Sequence, residues 1–188
     1  MNPRTLLVYG TSYGQTAKIA TRIESILRDR GHAVTVANAA EPLPFQSLAD
    51  FDAIVVGSSI IARGHQKSVE EFIRKEAVLL NSKPSAFYSV SGSAGSTSPV
   101  ERAAAERLRD EFLTRVAWTP RIRVSFAGAV NYTRYNFLLR WYMKKASAKG
   151  GGSTDTSRDH EYTDWNQVKR FAVEVAGLVR REQPAFTR

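Results

Sequence analysis

Short apolar runs rich in β-branched residues alternate along this chain with stretches of helical periodicity, and that alternation constrains its fold more than any other feature. Residues 5–9 (Thr-Leu-Leu-Val-Tyr) read as a buried strand. Ile19, Ile23, Ile26 and Leu27 then recur at i, i+4, i+7 and i+8, one face of a helix over 16–30, and Gly31 is placed to end it. Residues 33–37 and 51–57 give a second and a third strand, separated by a loop that Pro42 and Pro44 mark. Val69, Phe72, Ile73, Ala77 and Leu80 form another helical face, and residues 85–90 a fourth strand. A helix from about Pro99 turns Leu108, Phe112 and Val116 inward, and residues 122–129 make a fifth strand. A last helix opens near Asp164, where Asp164 and Gln167 have the spacing of a capping box. Strands alternating with helices predict an α/β fold, a parallel sheet covered on both faces. Right-handed crossovers leave the doubly wound order 2-1-3-4-5 as the topology that fits. Such sheets bind ligands beyond the C-terminal ends of the strands, at the switch point between strands 1 and 3. No internal repeat or break in composition divides residues 1–188, which are expected to form one domain.

One connection breaks the pattern. Residues 131–161, between the fifth strand and the last helix, far exceed the usual connection of about 2–6 residues. Residues 132–149 read as an aromatic, basic helix carrying Tyr132, Tyr135, Phe137, Leu138, Leu139, Trp141, Tyr142 and Met143 among Arg134, Arg140, Lys144, Lys145 and Lys149. The Gly-Gly-Gly-Ser-Thr-Asp run at 150–155 must be a loop. Charge concentrates here: residues 121–149 hold seven Lys or Arg and no acid, in a chain whose net charge is +9. Aromatic rings with cations suit the headgroup boundary of an anionic membrane, or an aromatic substrate bearing carboxylates. A helix packed on the domain, or a contact between copies in a homo-oligomer, is the plainer alternative. No run approaches the ~18 apolar residues of a spanning helix, and no apolar leader precedes the first strand. A protein that is soluble or sits on a membrane surface is expected. The chain has no cysteine, which excludes disulfides, thiolate nucleophiles and Cys-ligated clusters. His32, His65 and His160 are scattered, so no metal site is expected.

Directly after the first strand comes Gly10-Thr11-Ser12-Tyr13-Gly14-Gln15-Thr16, opening into the first helix. Thr11, Ser12 and Thr16 supply hydroxyl donors, Gly14 permits close backbone approach, and the helix N-terminus adds amides and a favourable dipole. A Walker loop would need Gly-Lys-Ser/Thr and a dinucleotide fingerprint G-x-G-x-x-G; neither is present. The loop therefore suits a monophosphate dianion. The plainer reading is that Thr11 or Ser12 caps the helix and Gly14 turns the chain.

The run Thr-Ser-x-Gly-Gln-Thr resembles the FMN phosphate loop of flavodoxins. Further matches follow in order along nearly the whole chain. They are Pro84-Ser85-Ala86-Phe87-Tyr88-Ser89-Val90, then Phe126-Ala127-Gly128-Ala129 with Tyr132 and Tyr135. Last come the Gly-Gly-x-Thr-Asp-Thr run at 151–156 and Tyr162-Thr163-Asp164-Trp165. Together with the aromatic, basic insertion they resemble the quinone-dependent protoporphyrinogen IX dehydrogenases of the flavodoxin class. The resemblance implies a flavodoxin-like fold with FMN as cofactor, protoporphyrinogen IX as substrate, a membrane quinone as electron acceptor and a step of haem biosynthesis. It also implies a cytoplasmic protein held peripherally at the inner face of the cell membrane, with 132–149 as the contact. Nucleic acid is not expected as a partner.

On that reading the cofactor is expected at Thr11, Ser12, Tyr13, Gly14, Gln15 and Thr16, at Ser58 and Ser59 after strand 3, and at Ser91, Gly92 and Ser93 after strand 4. Asp155 either reaches the flavin edge or fixes an Asx turn. No side chain is assigned a catalytic role; Arg63 and His65 are candidates for substrate contact. Two departures stand out. The family commonly has an arginine nearer strand 3 than Arg63, and a more basic stretch where this chain has the Ser, Gly and Ala of 91–98. A flavodoxin-type electron carrier and an NAD(P)H-dependent quinone reductase are the competing functions; the basic charge counts against the first. Deleting 132–149 is expected to spare FMN binding.

Overall fold

The computed structural model describes residues 2–182. The side chains of Leu139, Ala146 and Lys149, and those beyond Val179, lie outside the described residues. The strands of the main sheet are β1 (Arg4–Gly10), β2 (Ala33–Asn38), β3 (Ala53–Ile61), β5 (Ser85–Ser91) and β6 (Ile122–Ala127), in the order β2-β1-β3-β5-β6 and all parallel. β4 (Gly64–His65) is a short antiparallel return on β3. Setting β4 aside, this is the 2-1-3-4-5 order expected from the sequence.

Side chains of a parallel strand point alternately to the two faces, and both are buried. Leu7, Val55, Ala86, Tyr88 and Phe126 face α1 (Gln15–Asp29) and α5 (Trp165–Glu182), meeting Ile19, Ile23, Val168 and Phe171. Leu6, Val8, Ile54, Val56 and Phe87 face α2 (Lys67–Ser82) and α3 (Pro99–Arg115), meeting Val69, Phe72, Phe112 and Trp118. Tyr88 crosses the strand next to it so closely that a Cβ on Gly57 would lie 2.0 Å from its ring. Helix ends follow the sequence signals. Gly31 takes φ +85° just after α1, and the Asp164 carboxylate accepts the N–H groups of Asn166 and Gln167 at 2.9 and 3.1 Å. Among the described residues no helix is long and apolar enough to cross a membrane.

Three boundaries differ from the sequence reading. The third strand starts at Ala53 and runs on to Ile61, because β4 pairs with its end. The fifth strand stops at Ala127. Gly128 donates its N–H to the Ser91 carbonyl at 3.0 Å, and the chain then leaves the sheet. Beyond it β7 (Ala129–Val130) pairs with β8 (His160–Glu161), an antiparallel clasp that closes the insertion at its base. Within the insertion, Tyr132–Arg134 is a single 3-10 turn and the helix proper, α4, runs only over Phe137–Lys149.

Candidate active site

A cleft of about 410 Å³ opens at the C-terminal ends of β1, β3 and β5, where the strand order reverses. Its floor is the loop after β1. A Cβ on Gly10 would lie 2.6 Å from Val69 Cγ2 and 2.9 Å from Gln66 Cβ, so only glycine lets α2 start against the end of β1. Thr11 Oγ1 accepts the Gly14 N–H at 3.0 Å and folds the loop on itself. Gly14 takes φ +96°, and the first bond of α1 is Lys18 N–H to Gly14 O. The amides of Gln15, Thr16 and Ala17 therefore have no acceptor within the helix. Thr16 is fully buried, lines the cleft, and its Oγ1 has no hydrogen-bond partner among the described residues. A buried hydroxyl left unpaired is destabilising by about 1–3 kcal/mol unless a ligand takes it up. An acceptor-rich group at the N-terminus of α1 fits all these donors, as a phosphate would.

The second wall is the end of β3. Ser59, Ile60, Ile61, Ala62 and Arg63 line the cleft. Ala62 and Arg63 take φ +47° and +68°, a tight hairpin turn built from residues that rarely adopt that region. The third wall is Val90 to Ser93, with Gly95 and Ser96 beyond. Ser91 Oγ accepts the Ala94 N–H at 3.2 Å, and Arg102 holds the Ser96 and Thr97 carbonyls at 2.6 and 3.0 Å. The insertion forms the roof with Tyr135, Tyr142, Met143 and Ser147, joined by Tyr162 just after it. Arg63 and Glu101 are the charged residues among those that line the cleft.

The structure thus brings together Thr11, Ser12, Tyr13, Gln15, Thr16, Ser59, Ser91, Gly92, Ser93 and Arg63 from the sequence-derived set. Gly14 shapes the loop from behind. A Cβ there would point to the Arg134 guanidinium, 3.7 Å away, rather than into the cleft. Three residues fall elsewhere. Ser58 is fully buried, its Oγ accepting the Gln66 N–H at 3.0 Å; successive strand residues face opposite ways, so Ser59 alone of the pair reaches the cleft. Asp155 is exposed and fixes a turn, its Oδ1 accepting from the N–H and hydroxyl of Ser157 at 3.0 and 2.6 Å. His65 lies on the far side of β3, stacked on Phe112 with ring centroids 4.0 Å apart.

Burial beside the Arg115 guanidinium, opposed weakly by Glu70, lowers the His65 pKa to about 4. Below pH 6.5 the unfolded chain takes up a proton here that the folded chain refuses until about pH 4. Stability is therefore expected to fall across that window as pH drops, by up to about 3 kcal/mol. Histidine-to-phenylalanine replacement at 65 (His65→Phe) keeps the stack and should flatten this part of the pH profile. Urea melts of both proteins at pH 7 and pH 4.5 check it, and equal losses would contradict it.

The roof is not a separate appendage. The Tyr13 carbonyl accepts from Asn131 Nδ2 and from Arg134 Nη1, both at 3.2 Å. The Tyr13 ring meets Tyr135 edge-on at 4.8 Å, and a small core of Val130, Tyr132 and Tyr135 packs against Tyr13, Met143 and Tyr162. From the other end of the insertion, Thr163 Oγ1 accepts from Gln15 Nε2 at 2.8 Å and donates to the Ala127 carbonyl, while Glu161 pairs with Lys18. The floor loop is gripped from both ends of the insertion, by Asn131 and Arg134 at one and by Thr163 and Glu161 at the other, contacts that weigh against the expectation that deleting 132–149 spares cofactor binding.

A doubly wound sheet in this order, with a donor-rich loop after its first strand and a cleft at its switch point, defines a flavodoxin-type domain. Residues 6–157 match the family model described as a flavodoxin domain. A flavodoxin from the domain Archaea superposes with a TM-score of 0.55 at 19% identity, over 94% of this chain and 99% of that one, a likeness of fold. The chain is 36% identical over 176 residues to the protoporphyrinogen IX dehydrogenase [quinone] of Escherichia coli (strain K12), covering 93% of this chain and 96% of that protein. It is 30% identical over 181 residues to the Leishmania major protein of the same name, covering 94% of this chain and 76% of that one. The chain belongs to the quinone-dependent protoporphyrinogen IX dehydrogenase family.

Proposed function

We propose that this protein binds FMN in the cleft and oxidises protoporphyrinogen IX to protoporphyrin IX, three quinones taking the six electrons and six protons in pairs, as a step of haem biosynthesis. The observation that carries the cofactor reading is the orphaned Thr16 hydroxyl, buried at a helix N-terminus whose first amides have no acceptor within the helix. Thr11, Ser12 and Thr16 would hold the phosphate there, with Ser59 for the ribityl chain and the amides of Ser91, Gly92 and Ser93 for the ring's polar edge. FMN supplies the electron-accepting centre between substrate and quinone. The protein's part is to hold, orient and exclude water. Ile60, Ile61, Val90, Tyr135, Tyr142 and Met143 give the cleft an apolar lining suited to flat aromatic rings.

The outer face of α4 supports a membrane role. Phe137, Leu138 and Trp141 are exposed at 81%, 75% and 55%, next to Lys144 and Lys145. Lys145 Nζ lies 4.0 Å over the Trp141 ring. Rings that enter the headgroup layer beside cations that bind anionic lipid place the cleft roof where a lipid-dissolved quinone arrives. The protein then works in the cytoplasm at the inner face of the membrane.

Arg63 is the cation at the cleft wall, and the substrate carries propionate carboxylates. Arg63→Ala should raise KM for protoporphyrinogen IX roughly tenfold, with kcat and FMN affinity little changed, as expected for loss of a charge-assisted hydrogen bond. The dimethyl ester of the substrate should show no such difference between the two proteins. An unchanged KM for the free acid would remove Arg63 from substrate recognition.

A further inference from the structure

Gln66, between β4 and α2, meets three hydroxyls at the switch point. Its Nε2 lies 2.7 Å from Ser12 Oγ and 2.8 Å from Ser59 Oγ, and its backbone N–H donates to Ser58 Oγ at 3.0 Å. A carboxamide NH₂ only donates, whereas a serine hydroxyl has one proton and two lone pairs. Ser58 directs its proton to the Ser59 carbonyl at 3.2 Å and stays within the framework. Ser12 and Ser59, having accepted from Gln66, keep their protons for another acceptor, and both line the cleft.

We infer that Gln66 is a positioning residue that turns the Ser12 and Ser59 hydroxyls outward as donors, Ser12 toward a group that offers acceptors only and Ser59 toward a ribityl hydroxyl that rotates to meet either polarity. This rests on the reading of the cleft as an FMN site, whose phosphate is such a group. Riboflavin, which lacks the phosphate, is the natural control. A hydroxyl held as a donor attracts a phosphate oxygen; the same hydroxyl turned round meets it lone pair to lone pair.

Gln66→Leu removes the direction and Gln66→Glu reverses it, since a carboxylate accepts the serine protons. Apoprotein is titrated with FMN and with riboflavin, following flavin fluorescence. The FMN Kd should rise roughly fivefold in Gln66→Leu and roughly thirtyfold or more in Gln66→Glu, while the riboflavin Kd moves less than about threefold in either. A carboxylate could also repel the phosphate directly, so the Glu substitution is repeated in a Ser12→Ala background. There its effect on FMN should shrink. If Gln66→Glu fails to fold by circular dichroism, Gln66→Leu with and without Ser12→Ala carries the same comparison. An undiminished effect in the Ser12→Ala background, or equal losses for the two flavins, would overturn the role of Gln66. Wild-type protein that binds neither flavin would overturn the FMN reading instead.

Discussion

Gly14→Val is expected to weaken FMN binding by roughly 10- to 100-fold, through strain of about 1–3 kcal/mol that the bound loop must carry. Gly14 sits at φ +96° and ψ −14°, where its carbonyl starts α1 and its N–H closes the turn on Thr11. A branched side chain is disfavoured in that region by its own backbone. Space is not the cause, because the nearest atom to an added Cβ is Arg134 Nη1 at 3.7 Å. The apoprotein can relax by shifting the loop, and phosphate binding then has to restore it. Asparagine tolerates left-handed backbone better than other non-glycine residues, so Gly14→Asn should lose clearly less affinity than Gly14→Val. Fluorescence titration of the apoproteins gives the ranking. Equal losses for Asn and Val would mean that backbone conformation at 14 is not what shapes the loop.

The second large effect is expected at the insertion. Replacing residues 132–149 by a short Gly-Ser linker removes Arg134, which holds the Tyr13 carbonyl, and Tyr135, whose ring meets that of Tyr13 edge-on, together with Tyr132 and Met143 of the same small core. FMN affinity should fall at least about tenfold, the loss of a hydrogen bond to a charged group together with a buried aromatic contact, and turnover of protoporphyrinogen should be lost. A gentler change separates membrane contact from cofactor binding. Replacing Phe137, Leu138 and Trp141 together by serine touches only exposed side chains. It should leave the FMN Kd unchanged and abolish sedimentation with vesicles containing anionic lipid. A deletion that keeps full FMN affinity would show that the insertion and the phosphate loop are independent.

The sheet was legible in the sequence because strands buried on both faces read as continuous apolar runs, and those between them as one-sided helices. The floor loop was legible for a local reason: a phosphate nest needs small and hydroxylated residues in an unbroken run. What escaped the sequence depends on register or on distant partners. The turn at Ala62-Arg63 carries no Gly or Asn to signal positive φ, so the antiparallel return of β4 was not foreseen. That return, pairing His65 with Ile60, is what carries His65 away from the cleft and onto Phe112. Ser58 is different, since strand alternation alone says that it and Ser59 cannot both face one ligand. Gln66 belongs to no motif; its role exists only because β4 brings it between Ser12 and Ser59. Leu108 had the spacing of a core residue, yet it lines the cleft, since α3 turns that position toward the end of β5 and the insertion.

The cleft is proposed to hold FMN and to pass electrons from a porphyrinogen to a quinone. The direct measurement is anaerobic: purified, FMN-loaded protein is mixed with protoporphyrinogen IX while the visible flavin absorption is followed, and a soluble quinone is then added. The yellow absorption should bleach on mixing and return on adding the quinone, with protoporphyrin fluorescence growing as repeated two-electron rounds remove six electrons from each porphyrinogen. Protein that holds FMN yet stays yellow with the porphyrinogen would contradict the proposed reaction.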